Sequence, residues 1–384
     1  MTTFAPIFVP DELRQAVSDA AWLAAMLDAE RALARASSLA GVVPAAAAAA
    51  IAGQCEPSRY DLEALLEQGR AVGNPAEPLV RALRERVGSE AARWVHYGAT
   101  SQDVVDTAAM LVARETTRLV DGELGGVATA CARLAEEHRA TPMAARTVLQ
   151  QAVPTTFGAK AAGWLVAVVG ARDRLRQVRF QAQLGGAAGT LAAFGGRGLR
   201  VLAAYAAELD LDEPRVPWHA ARGPLTELGA ALDEAAAACA KIGLDVVLLA
   251  QTEVAEVAEA PGGGSSTMPH KRNPVRAVLA RACARLVHAN ASVLAGAEHE
   301  HERAAGAWQA EWTALSEALA HAGGAAAAIR ASLGGLAVDP ARMRANMSPE
   351  LYSERDRLEL DDPEYLGSAG AFVDRALERW REST

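Results

Sequence analysis

Aromatic residues and positive charge are both scarce in this chain of 384 residues. Phe, Trp and Tyr together make up 5% of it, and strand-favouring runs of Val, Ile, Thr and Tyr are few. Lys and Arg number 38 against 47 Asp and Glu, which gives a formal net charge of −9. Non-specific nucleic-acid binding depends on a basic surface that neutralises phosphates. We therefore expect no nucleic-acid partner.

Paired cysteines and long apolar runs are also missing. Cys55, Cys131, Cys239 and Cys283 are scattered without a CxxC pair, a pattern typical of buried, reduced thiols. The N-terminus lacks the cationic start and apolar core of a signal peptide. No uninterrupted apolar stretch reaches the ~20 residues that span a bilayer. These absences predict a cytoplasmic protein with no membrane partner.

Helix-forming residues dominate what is present. Hydrophobic residues make up 51% of the chain, and the abundant Ala, Leu, Glu and Arg are strong helix formers, so we predict an all-α fold. Helical periodicity covers residues 19–36, 103–138, 154–183, 225–259 and 274–299. Glu30 interrupts the apolar stripe of the first of these predicted helices. The last three are apolar on more than one face, which is typical of helices buried on every side and favours burial between subunits.

A soft, cationic loop separates the last two of these segments, with the sequence PGGGSSTMPHKRNPV at 261–275. Its glycines end the preceding helix, while Asn273 and Pro274 form a good N-cap and first-turn pair for the next one. Free N–H groups at a helix N-terminus attract negative charge, and His270, Lys271 and Arg272 add cationic character. The pattern predicts a loop that holds an anion and presents a hydroxyl to it. The alternative is a solvated linker.

Two further polar islands interrupt the apolar pattern. The first, HYGATSQDVVDT at 96–107, contains a helix start in which Thr100 or Ser101 is the N-cap and Asp103 lies in the first turn. A helix start alone does not account for His96. The second, RTVLQQ at 146–151, places Gln150 and Gln151 among apolar residues, where they serve as capping groups or as hydrogen-bond donors to a buried ligand.

Isolated histidines give weaker signals. His219, between Trp218 and Ala220, is as consistent with a hydrogen-bonded structural residue as with a substrate ligand. The run EHEHE at 298–302 suggests a metal site, but His299 and His301 are two residues apart on a predicted helix and so do not share a face. We predict no metal.

The loop GSSTMPHKRNP resembles the signature of the fumarase/aspartase superfamily. The pattern GSxxMxxKxN is matched at Gly264, Ser265, Met268, Lys271 and Asn273, and the other two islands resemble the first and second characteristic regions of that family, in the same order. The resemblance implies a central bundle of long helices, a homotetramer whose active sites combine loops from three subunits, and a reaction without a cofactor. It also implies a segment 1–95, a bundle 96–337 and a shortened C-terminal segment 338–384.

Several phrases, among them LQQAVPTTFG, QLGGAAGTLAAFG and HERAAGAWQAEW, resemble the cycloisomerase branch of this superfamily. The resemblance implies addition of a carboxylate of a small di- or tricarboxylate across a double bond, with Ser265 transferring the proton. Lys271 and Asn273 would stabilise the negative charge that develops on a neighbouring carboxylate. The substrate-binding residues implied are His96, Thr100, Ser101, Gln150, Gln151, His219, Ser266, Met268 and Arg303.

One departure from the superfamily pattern narrows the reaction. Val148 stands where many superfamily lyases have a histidine acid, which disfavours the adenylosuccinate and argininosuccinate lyases. An internal carboxylate leaving group needs less protonation, so Val148 favours the cycloisomerase. The alternatives are a lyase that eliminates nitrite or an amine from a substituted succinate, and a non-catalytic helical scaffold.

Overall fold

The computed structural model describes residues 3–260, 263–264, 268, 271–296 and 299–383. The all-α prediction is confirmed within these residues. The helices are α1 Ala5–Phe8, α2 Asp11–Ala16, α3 Asp19–Leu39, α4 Ala45–Ala52, α5 Leu62–Val72, α6 Ala76–Val87, α7 Ser89–Ala92, α8 Ser101–Glu137, α9 Phe157–Gln177, α10 Gly198–Glu208, α11 Gly223–Leu249, α12 Val275–Ala295, α13 Ala307–Gly334, α14 Pro340–Ala345, α15 Ser353–Arg357 and α16 Ala369–Ser383, with short 3₁₀ turns at Pro57–Arg59, Ala192–Arg197 and Pro349–Tyr352.

The strands are short and pair locally. They form three antiparallel two-stranded sheets among the described residues, β1–β2, β3–β6 and β4–β5. The β1–β2 and β4–β5 pairs join strands that are consecutive in the chain, whereas β3 pairs with the distant β6. The strands are β1 Pro142–Thr147, β2 Gln150–Thr156, β3 Val257–Glu259, β4 Gly263–Gly264, β5 Arg272–Asn273 and β6 Leu336–Val338.

Several predicted helix boundaries are wrong. Two helices end early, at Gln177 instead of residue 183 and at Ala295 instead of residue 299. The helix predicted from residue 154 begins at Phe157, because 154–156 belong to strand β2 and the Thr156 side chain caps the helix by accepting the Ala159 N–H. The helix predicted to reach Glu259 ends at Leu249, and 257–259 form strand β3. In both places tertiary pairing of the backbone overrides an apolar pattern that is compatible with a helix.

Five long helices, α8, α9, α11, α12 and α13, form the central bundle. Glycines let the antiparallel helices α11 and α12 approach closely. A Cβ at Gly243 would lie 2.8 Å from the carbonyl oxygen of Ala277, and one at Gly229 would lie 3.2 Å from the Leu294 side chain. One hydrophobic core runs through the bundle and contains residues of all three predicted segments, from Val9 to Leu377.

The bundle has two distinct ends. We call the end that carries Thr100, Arg222 and Arg303 the head end, and the end that carries the β1–β2 hairpin the hairpin end. Helices α8, α11 and α13 run from the head end to the hairpin end, while α12 returns. Helix α11 contains 27 residues, so at about 1.5 Å per residue the two ends lie roughly 40 Å apart.

Apolar side chains remain exposed on the bundle helices of this single chain. On α12 the exposed fractions are 48% for Val278, 40% for Leu286 and 41% for Val293, and the spacing of seven to eight residues places all three on one face. Val166 on α9 and Leu244 on α11 are 48% and 36% exposed. None of the described helices is both long enough and apolar enough to cross a membrane.

Close packing of α11 on α12 predicts a specific sensitivity. Gly243→Ala would push a methyl group against the backbone carbonyl of Ala277, so we expect it to lower the free energy of unfolding by about 1–3 kcal/mol. The matched control is Gly122→Ala in α8, where a Cβ meets nothing within 4 Å and helix propensity predicts a gain of about 1 kcal/mol. Thermal unfolding at one fixed protein concentration measures both. Equal effects of the two variants would contradict the packing argument.

Candidate functional site

The carboxylate of Asp103 organises the head end. It is fully buried, and its two oxygens accept the backbone N–H groups of Thr100 at 3.0 Å and of Gly185 and Gly186 at 2.9 Å each. Nε2 of His219 lies 2.6 Å from Oδ1 of the same carboxylate. Four partners therefore join the start of α8 to the 185–186 loop and to the segment before α11. The sequence placed Asp103 only in a helix first turn.

The 185–186 loop packs against the residues before α8 at van der Waals distance. Gly98 and Gly186 both have φ near +70°, at 75° and 71°. A Cβ at Gly186 would lie 2.7 Å from the Gly98 carbonyl oxygen, and one at Gly98 would lie 2.5 Å from the Phe194 ring. Both glycines are required by backbone conformation and by space.

Arg303 lies directly on this loop and on Thr100. Its Nη1 donates to Thr100 Oγ1 at 2.6 Å, and its Nη2 donates to the Ala187 carbonyl at 3.1 Å and more weakly to the Gly186 carbonyl at 3.4 Å. All three acceptors are neutral. No carboxylate of the described chain lies within ion-pair distance of this guanidinium, so its charge is available to an anion.

A second cation nearby is fully neutralised. The buried Arg222 guanidinium donates to both Asp106 oxygens at 2.7 and 2.9 Å and to Glu311 at 2.6 Å, and it stacks 4.7 Å from the centre of the Trp218 ring. Burial alone lowers the pKa of Arg222, but the two carboxylates outweigh it and raise the pKa. Arg222 therefore ties α8 to α13 and is not free for substrate.

His299 extends the same buried network. Its Nε2 lies 3.1 Å from Glu311 Oε1, and its buried Nδ1 has no partner among the described residues. Residues 299–306 are loop and turn, so the helix predicted through the EHEHE run is wrong there.

Sequence reasoning missed the roles of Arg222, Asp106 and Glu311, although Glu311 lies inside the quoted phrase HERAAGAWQAEW, one residue from Trp312.

His96 lies just before this cluster and pairs with Glu30 from α3. Nδ1 of His96 is 2.5 Å from Glu30 Oε1, and the two side chains are 12% and 1% exposed. Burial lowers the pKa of His96, but the charge and hydrogen bond of Glu30, with a further contribution from Asp103, outweigh it and raise the pKa. The residue that interrupts the apolar stripe of α3, Glu30, thus forms a buried ion pair with His96.

Five predicted site residues come together at the head end. His96, Thr100 and Ser101 lie at the start of α8, His219 reaches the same place through Asp103, and Arg303 binds Thr100. The two interpretations of His219 can now be compared, because its buried side chain bonds to Asp103 and its carbonyl accepts Gln102 Nε2 at 2.9 Å. These contacts favour the structural interpretation, in which His219 holds Asp103 and the start of α8 in place.

Gln150 and Gln151 lie instead on the hairpin. Thr147 pairs with Gln150, and the two-residue tip consists of Val148 and Leu149 with φ of 53° and 63°. Such turns favour Asn-Gly, and two bulky residues at positive φ store strain. The tip side chains are 95% and 73% exposed. Gln150 is exposed, and Gln151 Nε2 donates to the Asn346 carbonyl at 2.9 Å.

Lys271 and Asn273 also lie at the hairpin end. Lys271 is exposed, and its backbone N–H donates to the Met268 carbonyl. The Met268 side chain is 40% exposed. Asn273 pairs with Gly263 in the β4–β5 sheet. Asn273 lines a cleft of about 440 Å³ that Glu259 and Asp339 also line. The predicted residues Ser265, Ser266 and His270 lie outside the described residues.

The N-terminus of α12 is not the open anion site that the sequence suggested. Glu259 accepts the N–H groups of Arg276 at 3.1 Å and Ala277 at 2.9 Å, and Ser332 Oγ donates to Glu259 at 2.6 Å. A carboxylate of the chain itself therefore fills the position. The N-cap residue is Pro274, one residue later than predicted.

The described site residues thus form two groups, one at each end of the bundle. Arg146 of β1 pairs with Glu256 just before β3, at 2.7 and 2.9 Å, which fixes the hairpin to the Lys271 side. No hydrogen bond among the described residues links the two groups. Within one chain, roughly 40 Å separates these two groups, which the family resemblance assigns to one active site.

Comparisons with known proteins extend this picture. A family model described as Lyase matches residues 9–288. Nitrosuccinate lyase of Streptomyces davaonensis is 48% identical over 370 residues, covering 91% of this chain and 78% of that protein. The 3-carboxy-cis,cis-muconate cycloisomerase of Bradyrhizobium diazoefficiens is 46% identical over 353 residues, covering 89% and 78%.

Solved structures agree in fold over nearly the whole chain. The 3-carboxy-cis,cis-muconate lactonizing enzyme of Pseudomonas putida superposes with a TM-score of 0.92 at 36% identity, covering 99% of both chains. A fumarate lyase of Mesorhizobium sp. BNC1 gives a TM-score of 0.87 at 34% identity, covering 97% of this chain and 98% of that one.

The four partners of Asp103 predict a large effect of a small change. Asp103→Asn replaces one accepting oxygen by an NH₂ group that faces N–H donors, so we expect the free energy of unfolding to fall by about 3–5 kcal/mol. The matched control is Asp210→Asn, since Asp210 is 91% exposed and lies 3.5 Å from Arg114; its effect should stay within about 0.5 kcal/mol. Chemical unfolding at fixed protein concentration compares them. A loss below about 1 kcal/mol at Asp103 would contradict its central role.

Proposed function

Because the chain belongs to the lyase family and is an enzyme of the fumarase/aspartase superfamily, we propose that it converts 3-carboxy-cis,cis-muconate to 4-carboxymuconolactone. The observation that carries this proposal is the likeness to the Pseudomonas putida lactonizing enzyme over 99% of both chains. It is supported by the free charge of Arg303 beside Thr100, because a muconate tricarboxylate needs fixed cations.

The proposed reaction is an isomerisation of the acid, so the ionised tricarboxylate takes up one proton as it becomes a lactone with two carboxylates. A carboxylate oxygen adds to one carbon of a double bond, and the electron pair moves to the neighbouring carbon, where it is shared with the adjacent carboxylate. Ser265 then donates a proton to that carbon, following the family resemblance, and takes a proton from solvent to restore its hydroxyl. Lys271 and Asn273 stabilise the doubly charged carboxylate until the proton arrives. No leaving group departs and no cofactor is needed.

The proposed active enzyme is a homotetramer with shared sites, in the cytoplasm. Its support is the roughly 40 Å between the Arg303 group and the Lys271 group within one chain. A second copy that brings its hairpin end to the head end of the first would join them. The exposed apolar face of α12, with Val278, Leu286 and Val293, supplies a surface for such contact.

A second candidate function is elimination of nitrite from a nitrosuccinate. The 48% identity to nitrosuccinate lyase over 91% of this chain favours it. The C–N bond breaks as a proton leaves the neighbouring carbon, giving fumarate and nitrite. Nitrite is a stable anion and leaves without protonation, so Val148 at the hairpin tip is compatible with this reaction too.

The direct test is loss of ultraviolet absorbance when the purified protein meets 3-carboxy-cis,cis-muconate. Lactonisation removes a conjugated double bond, so absorbance falls if the proposal is correct, and Ser265→Ala should lower the rate by at least about 100-fold. A parallel reaction with nitrosuccinate is assayed for nitrite. Turnover of nitrosuccinate without turnover of the muconate would replace the first function by the second.

Arg303 gives a prediction about substrate binding. Arg303→Gln keeps hydrogen-bond donors toward Thr100 but removes the positive charge, so KM should rise by about 10–100-fold with a smaller change in kcat. Arg118→Gln is the control, because Arg118 lies in an exposed pair with Glu115 on α8 and should leave KM unchanged. An unaltered KM in a folded Arg303→Gln variant would remove Arg303 from the substrate site.

A further inference from the structure

Glu30 is an unusual residue for the apolar face of α3. Its side chain is 1% exposed, Oε1 lies 2.5 Å from His96 Nδ1, and the buried Oε2 has no hydrogen-bond partner among the described residues. A buried carboxylate with one unpaired oxygen is costly unless a positive charge lies against it. Because His96 is the only hydrogen-bond partner that the described chain gives Glu30, the stability of this carboxylate depends on His96.

The groups around the pair favour a positive charge on His96. Glu30 faces it from α3 and Asp103 from α8, while Arg84 on α6 opposes with its own charge. Burial lowers the pKa of His96, but the two carboxylates outweigh burial and Arg84, so the pKa is raised. Cys55 and Tyr60, which also face Glu30, have pKa values raised to about 12 and stay neutral at physiological pH.

The backbone at His96 is held in a tight turn next to Thr100. The backbone of His96 adopts a φ of 58°. This left-handed conformation is unfavourable for a residue that has a Cβ atom, and it is usually retained at functional positions. The His96 carbonyl closes a tight turn by accepting the Ala99 N–H at 3.4 Å, one residue before Thr100. With Nδ1 held by Glu30, Nε2 has no hydrogen-bond partner in the described part of the chain.

We propose that Glu30 is a positioning residue that holds His96 as an imidazolium whose Nε2–H binds a substrate carboxylate beside Arg303. The head end then offers two cations, His96 and Arg303, to two carboxylates of one ligand. Glu30 itself touches no substrate. This inference rests on the proposed function in its choice of a polycarboxylate ligand, but its test does not require turnover.

The first measurement follows protonation of His96 directly. The ring carbons of histidine are labelled with ¹³C, the His96 signal is assigned by its absence in His96→Gln, and pH is titrated in the wild type and in Glu30→Gln. We expect the pKa of His96 to fall in Glu30→Gln toward the ordinary value of 6.5, and to return in Glu30→Asp. Equal titration of His96 in wild type and Glu30→Gln would overturn the proposal.

The second measurement follows binding of propane-1,2,3-tricarboxylate, which cannot cyclise, by calorimetry. Relative to wild type at the same pH, Glu30→Gln should bind about tenfold more weakly at pH 8 and nearly equally at pH 5.5, where His96 is protonated without help. Glu63→Gln, an exposed change on α5, is the control. A loss of the same size at both pH values would indicate a merely structural role and overturn the proposal. If the protein shows this pH pattern of binding but does not turn over the muconate, the proposed reaction is wrong and the role of Glu30 stands.

Linkage gives a third readout with a definite sign. A raised pKa of His96 in the folded chain means that the pair contributes stability fully below about pH 6.5 and loses it as pH rises through the raised value. The difference in free energy of unfolding between wild type and Glu30→Gln should therefore be larger at pH 6 than at pH 9. The opposite sign would mean that Glu30 holds His96 neutral.

Discussion

The head end depends on one buried carboxylate, that of Asp103, and on the four donors that surround it. These contacts fix the first turn of α8 against the Gly185–Gly186 loop. The carbonyls of that loop and the hydroxyl of Thr100 then orient Arg303. Removing the carboxylate would release the loop and with it the acceptors of Arg303, because Gly185 and Gly186 have no side chains to pack and their N–H groups bind Asp103.

The charges at this end fall into two classes. Arg222 is saturated by Asp106 and Glu311 and holds helices together, whereas Arg303 is bound only by neutral oxygens. Burial of the first makes its neutralisation obligatory. Partial exposure of the second allows it to keep its charge for an anion. Two arginines at the same end of the bundle therefore have different partners, and those partners distinguish their tasks.

The length of the bundle helices has a consequence for catalysis. Long helices that run from one end to the other place the Thr100 group and the Lys271 group at opposite ends, although the family resemblance assigns both to one active site. Helix geometry makes this separation unavoidable within one chain. The shared site that we propose between copies would bring the two groups together, and it would also give the apolar face of α12 a partner.

Much of the fold could be predicted from the sequence, because helix formation follows from local composition and periodicity. The alanine-rich segments, the start of α8 near Ser101 and the match GSxxMxxKxN are all local, and they indicated the helices, the family and several candidate residues. The Pro154 region was misjudged because it pairs with β1 in a hairpin, and the Glu259 region because it pairs with the distant strand β6. The same holds for the α12 N-terminus, where Glu259 fills the expected anion site.

Only the tertiary structure decided which polar residues meet. Glu30 and His96 are 66 residues apart, and Thr100 and Arg303 are 203 apart. No periodicity links such positions, because a buried charge is stabilised by whichever partner the packing of helices brings to it. The sequence by itself determined the helices and the chemistry available, and the packing of those helices determined which cations were neutralised and which remained for a substrate.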